Sequence, residues 1–200
     1  MAMGRKEPRE PRLAARLLEP GPVVLVTTQY RAHPNVMTAA WVMPLSLEPT
    51  RIGLAVHPSR LTHELLSKGE YFALNILTLE HLLAIHLCGT LSGRDVDKFT
   101  RAQLHPVDAL EVDVPVLEEA VAHIECGVIA RLSLGDHDLF VGEVIAAAAD
   151  TELFGERWLQ LEEEPLVHHV GAEWYAALAR VSRARLPGEE EEEAQEESER

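Results

Sequence analysis

The chain has 200 residues, of which 46% are apolar and 26% charged, and its formal net charge at pH 7 is −15. These proportions are typical of a globular protein and exclude collagen-like and fully disordered classes. The acidic charge and the lack of a basic cluster argue against nucleic-acid binding, because phosphates require a cationic face. No apolar run reaches the roughly 20 residues of a membrane-spanning helix, so we expect no membrane association.

Charge and composition divide the chain into three parts. Residues 1–19 are predicted to be a lead-in with a short helix at 11–18, and residues 20–185 a single domain. Residues 186–200 are predicted to be an acidic disordered tail, because residues 188–200 carry a charge of −7 and little apolar surface. No apolar signal-peptide core follows the start, and Cys88 and Cys126 are the only cysteines, which favours the cytoplasm.

Short runs rich in branched residues predict a mainly β protein. In chain order these runs are residues 23–28, 38–45, 51–57 and 71–77. Helical spacing interrupts them at residues 60–67 and 80–88, and Asp95 is placed to cap a short helix that runs through Thr100. Many strands without regular β-α alternation favour a closed or partly closed antiparallel barrel over a doubly wound sheet.

The clearest hairpin lies at residues 121–148. Residues 121–132 alternate and place Ile124, Cys126 and Val128 on one face, Gly135-Asp136 provides a turn, and residues 139–148 return. Both faces of the returning strand are mostly apolar. This pattern is typical of a strand that is buried on two sides or lies at a subunit contact.

Several common catalytic and metal-binding motifs are missing from the sequence. There is no Gly-x-Gly-x-x-Gly, no Walker-type loop and no Gly-x-Ser-x-Gly elbow, and the two cysteines lack redox-pair spacing. His81 and His86 are five residues apart, so they do not share a helix face, and adjacent His168 and His169 point to opposite sides of a strand. We therefore predict no metal site.

Two loops combine cationic and hydroxyl side chains. Ser59, Arg60 and Thr62 lie where a predicted strand meets a predicted helix, and free N–H groups at a helix N-terminus favour an anion. Farther along, Arg94 and Lys98 add two cations in a flexible segment that also contains Ser92 and Gly93. Two such loops closing on one phosphate dianion would offset the cost of desolvating its charge.

The order of several motifs resembles the flavin reductase-like family, which includes the flavoredoxins. The resemblance covers roughly residues 20–175 and rests on residues 35–41 (NVMTAAW), 58–62 (PSRLT), 88–99 (CGTLSGRDVDKF) and 135–144 (GDHDLFVGEV). It implies the FMN-binding split β-barrel, an antiparallel, Greek-key-like barrel with a few peripheral helices. It also implies a homodimer, with the flavin near the subunit interface.

The resemblance also implies roles for individual residues. Residues 35–41 are similar to the edge that hydrogen-bonds the isoalloxazine, while Ser59, Arg60, Thr62 and Lys98 are similar to phosphate and ribityl contacts, with Ser92 and Arg94 assisting. His137 is similar to a family histidine near the reactive face of the flavin, and a solvent-exposed turn residue is the alternative for it. The implied cofactor-binding residues are Asn35, Val36, Met37, Thr38, Trp41, Ser59, Arg60, Thr62, Ser92, Arg94 and Lys98, and the implied catalytic residue is His137.

Two functions follow from the resemblance. The first is an FMN reductase that takes hydride from NADH or NADPH, with FAD a less favoured flavin and a monooxygenase or another redox protein as a possible partner. The second is a flavoredoxin-like electron carrier that retains FMN and turns over NAD(P)H inefficiently. Because flavin carries the redox chemistry, neither function needs a catalytic triad or a carboxylate pair. The sequence leaves open which nicotinamide nucleotide is used.

Overall fold

The computed structural model describes residues 21–177, so the predicted lead-in helix and acidic tail lie outside the described residues. The first strands are β1 (Gly21–Pro22), β2 (Val24–Tyr30), β3 (His33–Ala39), β4 (Val42–Leu47), β5 (Thr50–Val56) and β6 (Tyr71–Ile76). The later strands are β7 (Pro106–Val107), β8 (Val116–Leu117), β9 (Ala122–Ser133), β10 (Asp138–Ala149), β11 (Val167–Gly171) and β12 (Trp174–Ala177). The α-helices are α1 (Leu61–Lys68), α2 (Leu82–Thr90) and α3 (Lys98–Ala102).

Seven strands form one antiparallel sheet in the order β3-β2-β6-β9-β10-β5-β4. β3 and β4 are at opposite ends of this order, yet only Ala40 and Trp41 separate them along the chain. The sheet must therefore curl until its two edges approach each other. The edges contain Pro34 and Pro44, consistent with the confinement of proline to strands that lack a partner on one side.

The inner face of the curled sheet encloses one hydrophobic core. It combines buried side chains from six strands and from α1, which identifies the interior of a barrel. Gly142 is required there, since a Cβ at this position would lie 2.5 Å from Cζ of Phe72. The core residues are Val24, Val26, Met37, Ala39, Ile52, Leu54, Val56, Leu66, Phe72, Leu74, Cys126 and Phe140.

The predicted mainly β architecture is confirmed, but the prediction of one strand at residues 38–45 is wrong. The chain is in strand β3 from His33 to Ala39 and enters β4 only at Val42. β2 and β3 form a hairpin whose two turn residues, Arg31 and Ala32, both have left-handed φ values of 51° and 58°. Such turns are normally marked by Asn-Gly or a related pair, so the Arg-Ala turn carried no recognisable signal.

The helices agree with prediction except at their ends. The segment predicted as one helix at residues 80–88 is a 3-10 turn at Leu79–His81 followed by α2. The predicted cap Asp95 is wrong, because Asp97 caps α3 by accepting hydrogen bonds from the N–H groups of Phe99 and Thr100. The N–H of Asp95 instead closes a turn onto the carbonyl of Ser92.

Smaller units surround the barrel. β1, β11 and β12 form a separate three-stranded sheet, and β7 and β8 pair with each other. α2 and α3 pack with Leu25 and Val36 on the outer face of the barrel. Cys88 and Cys126 are both buried and free. No helix within residues 21–177 is long and apolar enough to cross a membrane.

Candidate functional site

Two adjoining cavities lie between the barrel and α2. The large cavity has a volume of about 510 Å³ and the small cavity about 120 Å³. Met37, Ser59, Arg60 and Gly89 line both, so the two form one continuous groove. Among the described residues that line either cavity there is no Asp or Glu. The groove therefore suits a ligand with one anionic end.

The small cavity brings together the two cationic loops that were recognised in the sequence. Asn35 donates a 2.8 Å hydrogen bond from Nδ2 to Oγ1 of Thr62, which ties β3 to the first turn of α1. Gly93 lies directly against this pair, and a Cβ there would be 2.2 Å from Oδ1 of Asn35. Glycine is needed at this position because the loop approaches the barrel edge too closely for a side chain. Asn35, Met37, Ser59, Arg60, Thr62, Ser92, Arg94 and Lys98 all line this cavity.

The ammonium group of Lys98 lies in the small cavity, and few nearby groups can neutralise its charge. The residue is only 5% exposed, and Nζ donates a 3.1 Å hydrogen bond to the carbonyl oxygen of Cys88. Within residues 21–177, neither Lys98 nor Arg60 has a carboxylate at ion-pair distance. Burial, with a further contribution from the charge of Arg60, lowers the pKa of Lys98 to about 8. An anion bound here would compensate the positive charge of the buried ammonium group.

Other polar groups in the small cavity already form ion pairs or hydrogen bonds within the protein. Arg94 pairs with Glu64 at 3.1 Å and donates to the carbonyl of Ser59 at 3.0 Å. Hydrogen bonds from Lys68 and Arg94 lower the pKa of Glu64. The N–H groups of Ser59 and Arg60 are both bonded to His57, so these predicted anion donors are not free. Lys98 and Arg60 are the cations that the described structure leaves for a ligand.

Aromatic rings line one side of the large cavity. The ring of His137 lies 4.6 Å from that of Trp41 and 5.2 Å from that of His57, measured between centroids. Trp41 is 49% exposed, so its ring does not fill the core. Nδ1 of His137 is 2.9 Å from Oδ1 of Asp136, and this hydrogen bond is the main cause of the lowered pKa of Asp136.

A second group of rings in the large cavity was not identified from the sequence. His86 of α2 and Tyr175 of β12 are linked by a 3.3 Å hydrogen bond between Nδ1 and the phenol oxygen. His169 of β11 lies 5.5 Å from the Tyr175 ring. Burial raises the pKa of Tyr175. His86 lies on α2 and the other two residues lie on the separate sheet, so no local sequence pattern indicated that the three would meet.

The remaining predicted residues differ in how they face the groove. Thr38 lines the large cavity and donates its hydroxyl to the carbonyl of Ile85, which fixes α2 against β3. Met37 is 9% exposed, belongs to the barrel core and also lines both cavities. Val36 is fully buried in the core beneath α2, so its side chain faces away from both cavities. No cluster of metal-ligating side chains occurs in the part of the chain that the structure describes.

Comparison with known proteins identifies the family. Residues 16–173 match the model of the flavin reductase like domain. The chain belongs to the flavin reductase-like family. It is 36% identical over 169 residues to a Pyrococcus abyssi protein, covering 84% of this chain and 97% of that one. It is 42% identical over 112 residues to an Archaeoglobus fulgidus protein, covering 56% of this chain and 63% of that one.

A further relative is named for its activity. The chain is 31% identical over 125 residues to the NADH-dependent FAD reductase of Streptomyces globisporus, covering 62% of this chain and 68% of that protein.

The fold is shared with solved flavoproteins. An FMN-binding protein from Thermus thermophilus, solved with bound 1-cyclohex-2-enone, superimposes with a TM-score of 0.78 at 29% identity, covering 92% and 100% of the two chains. The flavoredoxin of Desulfovibrio vulgaris (Miyazaki F) superimposes with a TM-score of 0.79 at 23% identity, covering 94% and 100%. The predicted split β-barrel is thus confirmed.

Proposed function

We propose that this flavin reductase-like protein binds FMN and transfers hydride to it from NADH or NADPH. The observation that carries the proposal is the buried Lys98 ammonium, which shares a small cavity with Arg60 and has no carboxylate partner among the described residues. A phosphate dianion is the ligand that would neutralise both cations at once. The FMN-binding relative from Thermus thermophilus supports this choice of flavin.

The groove fits the rest of the cofactor. The small cavity would hold the phosphate and lower ribityl chain through Arg60, Lys98, Ser92 and Thr62, with Asn35 and Arg94 holding the loops in place. The large cavity would hold the isoalloxazine against residues 37–41. β3 is an edge strand of the described sheet, so peptide groups on its open side are available to the pyrimidine end of the ring.

The protein contributes binding and orientation to the reaction. Flavin, when bound, supplies a ring that accepts hydride from a nicotinamide. Trp41 and His137 would form an aromatic wall against which a second ring can lie, and holding two rings in contact accounts for most of the rate gain in such a transfer. The hydrogen bond from Nδ1 of His137 to Asp136 fixes the imidazole in that wall.

The experiment is a turnover assay with purified protein and excess FMN. NADH and NADPH are tested separately, each in excess over the protein. We expect NADH or NADPH to be oxidised catalytically in the presence of FMN. Failure to oxidise either nucleotide would exclude the reductase. Chromatography of the released cofactor would distinguish FMN from FAD, and the relative from Streptomyces globisporus makes FAD the flavin to compare.

The alternative function is that of a flavoredoxin-like electron carrier. The structural similarity to the flavoredoxin is consistent with it. A carrier would retain FMN through dialysis, oxidise NAD(P)H slowly and be reduced at a rate set by a protein partner. A monooxygenase or another redox protein is the partner class in either function. The same preparation tests both functions.

We also propose that the protein is a homodimer formed through the outer face of β4, β5, β9 and β10. Leu45 of β4 and Leu139 of β10 meet over Gly53 of β5, and Leu139 pairs with Leu132 of β9. Met43, Leu45 and Leu132 are 53%, 41% and 45% exposed, an unusual density of exposed apolar side chains on a sheet. A second copy seated there would reach Trp41, which directly precedes β4, and would narrow the mouth of the large cavity.

A further inference from the structure

A third cavity, the outer cavity, has a volume of about 650 Å³ and adjoins the small cavity. Asn35, Gly93, Arg94 and Lys98 line both of them, whereas no described residue lines both the outer and the large cavity. The small cavity therefore lies between the other two. A ligand with its ring in the large cavity and a phosphate in the small cavity extends next into the outer cavity.

Two carboxylates distinguish the outer cavity from the rest of the groove. Asp95 and Asp97 line it and are both exposed, whereas the described lining of the large and small cavities contains no acidic residue. Asp97 accepts hydrogen bonds from Phe99 and Thr100 through its two carboxylate oxygens. The hydrogen bond from the Thr100 hydroxyl is the main cause that lowers the pKa of Asp97. Its negative charge is therefore maintained at the rim of the outer cavity.

The carboxylate of Asp95 is not neutralised in the part of the chain that the structure describes. Its N–H donates a 3.1 Å hydrogen bond to the carbonyl of Ser92, which holds the residue in a turn, but its carboxylate forms no ion pair there. The neighbouring guanidinium of Arg94 instead contacts Glu64 and the carbonyl of Ser59. An anionic group that enters the outer cavity therefore meets an uncompensated negative charge.

FMN and FAD distribute their negative charge differently. FMN ends in a phosphate monoester with a second pKa of about 6, so this phosphate is a dianion at neutral pH. In FAD the same phosphate is a diester with a single charge, and the other charge lies on the next phosphate. FMN therefore brings both charges to Lys98 and Arg60 in the small cavity. FAD brings one charge there and places the other in the outer cavity.

We propose that Asp95 makes the protein select FMN over FAD. The inference rests on the proposed function, because it names a residue that determines which flavin is bound. The outer cavity, at about 650 Å³, has the size of a small-molecule site, so the volume of the adenylate does not exclude FAD. The selection is electrostatic, since the second phosphate of FAD would approach Asp95 and Asp97. An unfavourable contact with the wrong ligand is a common source of specificity.

The test is calorimetric titration of the flavin-free protein with FMN, FAD and the methyl ester of FMN at neutral pH and low salt. The ester has a singly charged phosphate and no adenylate. Comparing FMN with the ester measures the second charge in the small cavity, and comparing the ester with FAD measures the outer cavity. We expect FMN to bind about tenfold more tightly than the ester, and the ester about tenfold more tightly than FAD.

Variants of Asp95 test the residue itself. Asp95→Asn should strengthen FAD binding about three- to fivefold and leave FMN and the ester unchanged, whereas Asp95→Glu keeps the charge and should keep the selectivity. Asp108→Asn removes an exposed carboxylate outside the small and outer cavities and should change no Kd. Added salt should reduce the preference of the wild type for the ester over FAD, because exposed charges are screened.

Two results would overturn the proposal. They are FAD binding to the wild type as tightly as the ester, and unchanged FAD binding in Asp95→Asn. Lowering the pH through about 6 should remove the preference for FMN over the ester, because both phosphates are then monoanions. A preference that persists at about pH 5 would contradict the role assigned to the second charge.

The Kd ratios separate this inference from the proposed function, because they are measured without a nicotinamide nucleotide. A protein that selects FMN but oxidises neither NADH nor NADPH would overturn the reductase and support the selection. A protein that binds FMN and FAD equally and still turns over would overturn the selection and support the reductase. Failure to bind any of the three ligands would overturn flavin binding itself, and the selection with it.

Discussion

The ammonium group of Lys98 donates a 3.1 Å hydrogen bond to the carbonyl oxygen of Cys88, and burial lowers its pKa to about 8. In the free protein, Lys98 therefore loses its proton as the pH rises through about 8. A bound phosphate dianion would favour the protonated form, so binding takes up a proton above that pH. We expect the Kd for FMN to rise by up to tenfold per pH unit above about 8.

Quenching of flavin fluorescence between pH 6.5 and 9.5, roughly the range around this pKa, measures the effect. Riboflavin lacks the phosphate and is the matched ligand control, so its Kd should change little over the same range. Lys98→Arg keeps the charge at every pH and should flatten the FMN profile. An FMN profile identical to that of riboflavin would show that Lys98 does not bind the phosphate.

Gly93 lets the loop from Ser92 to Arg94 lie against Asn35. In Gly93→Ala, a methyl group would be 2.2 Å from Oδ1 of Asn35 and 3.0 Å from a Leu61 methyl, so the loop must move. Overpacking of this kind costs about 1–3 kcal/mol, and we expect FMN affinity to fall by about tenfold or more. Titration with FMN measures the loss.

Gly155→Ala is the matched control for Gly93→Ala. A methyl group there would meet only Leu159 at 3.9 Å, which is an ordinary contact. Its FMN affinity and Tm should equal those of the wild type. If Gly93→Ala also binds FMN normally, the small cavity does not hold the phosphate.

His63 and Asp138 join α1 to the hairpin that carries His137. Nε2 of His63 is 2.8 Å from Oδ2 of Asp138, the two side chains are 9% and 5% exposed, and Arg131 approaches the same oxygen at 2.6 Å. The hydrogen bond from His63 is the largest cause that lowers the pKa of Asp138 to about 2. A depressed carboxyl pKa stabilises the fold above the unfolded value of about 4, and this contribution is lost between about pH 4 and 2.

Asp138→Asn should lower Tm at pH 7 by about 5 °C or more, because it leaves His63 and Arg131 without their shared carboxylate. The difference from the wild type should shrink as the pH is lowered through about 4, measured by circular dichroism. Asp136→Asn alters an exposed carboxylate in the same turn and should leave Tm almost unchanged. A constant difference in Tm down to low pH would mean that Asp138 is already protonated at neutral pH.

The outer face of β4 and β10 should determine the oligomeric state. Leu45→Glu would place a charge over Gly53 and beside Leu139, in the centre of the proposed dimer contact. We expect this variant to sediment as a monomer while the wild type sediments as a dimer. Leu83→Glu alters a side chain on α2 that is 71% exposed and should leave the dimer intact. A monomeric wild type would exclude the dimer.

Local patterns in the sequence were sufficient for much of the architecture. Alternation predicted β5, β6 and β9 because each is a strand with one face in the barrel core, as Ile52, Leu54 and Val56 of β5 show. The two cationic loops were also recognisable, since hydroxyl and basic residues clustered at predicted element ends. The first five of the seven residues of β3 were missed, because the turn at Arg31-Ala32 that precedes it contains residues that rarely occupy left-handed backbone.

The sequence by itself determined the fold class and which loops carry cations, because periodicity and composition are properties of neighbouring residues. Only the tertiary structure brought Arg60 and Lys98 into one cavity and placed Tyr175 of β12 beside His86 of α2. It also placed Nδ1 of His57 against the N–H of Ser59 and Nδ1 of His137 against the carboxylate of Asp136. Such contacts depend on how the sheet closes and how separate elements pack, and no pattern of adjacent residues encodes those distances.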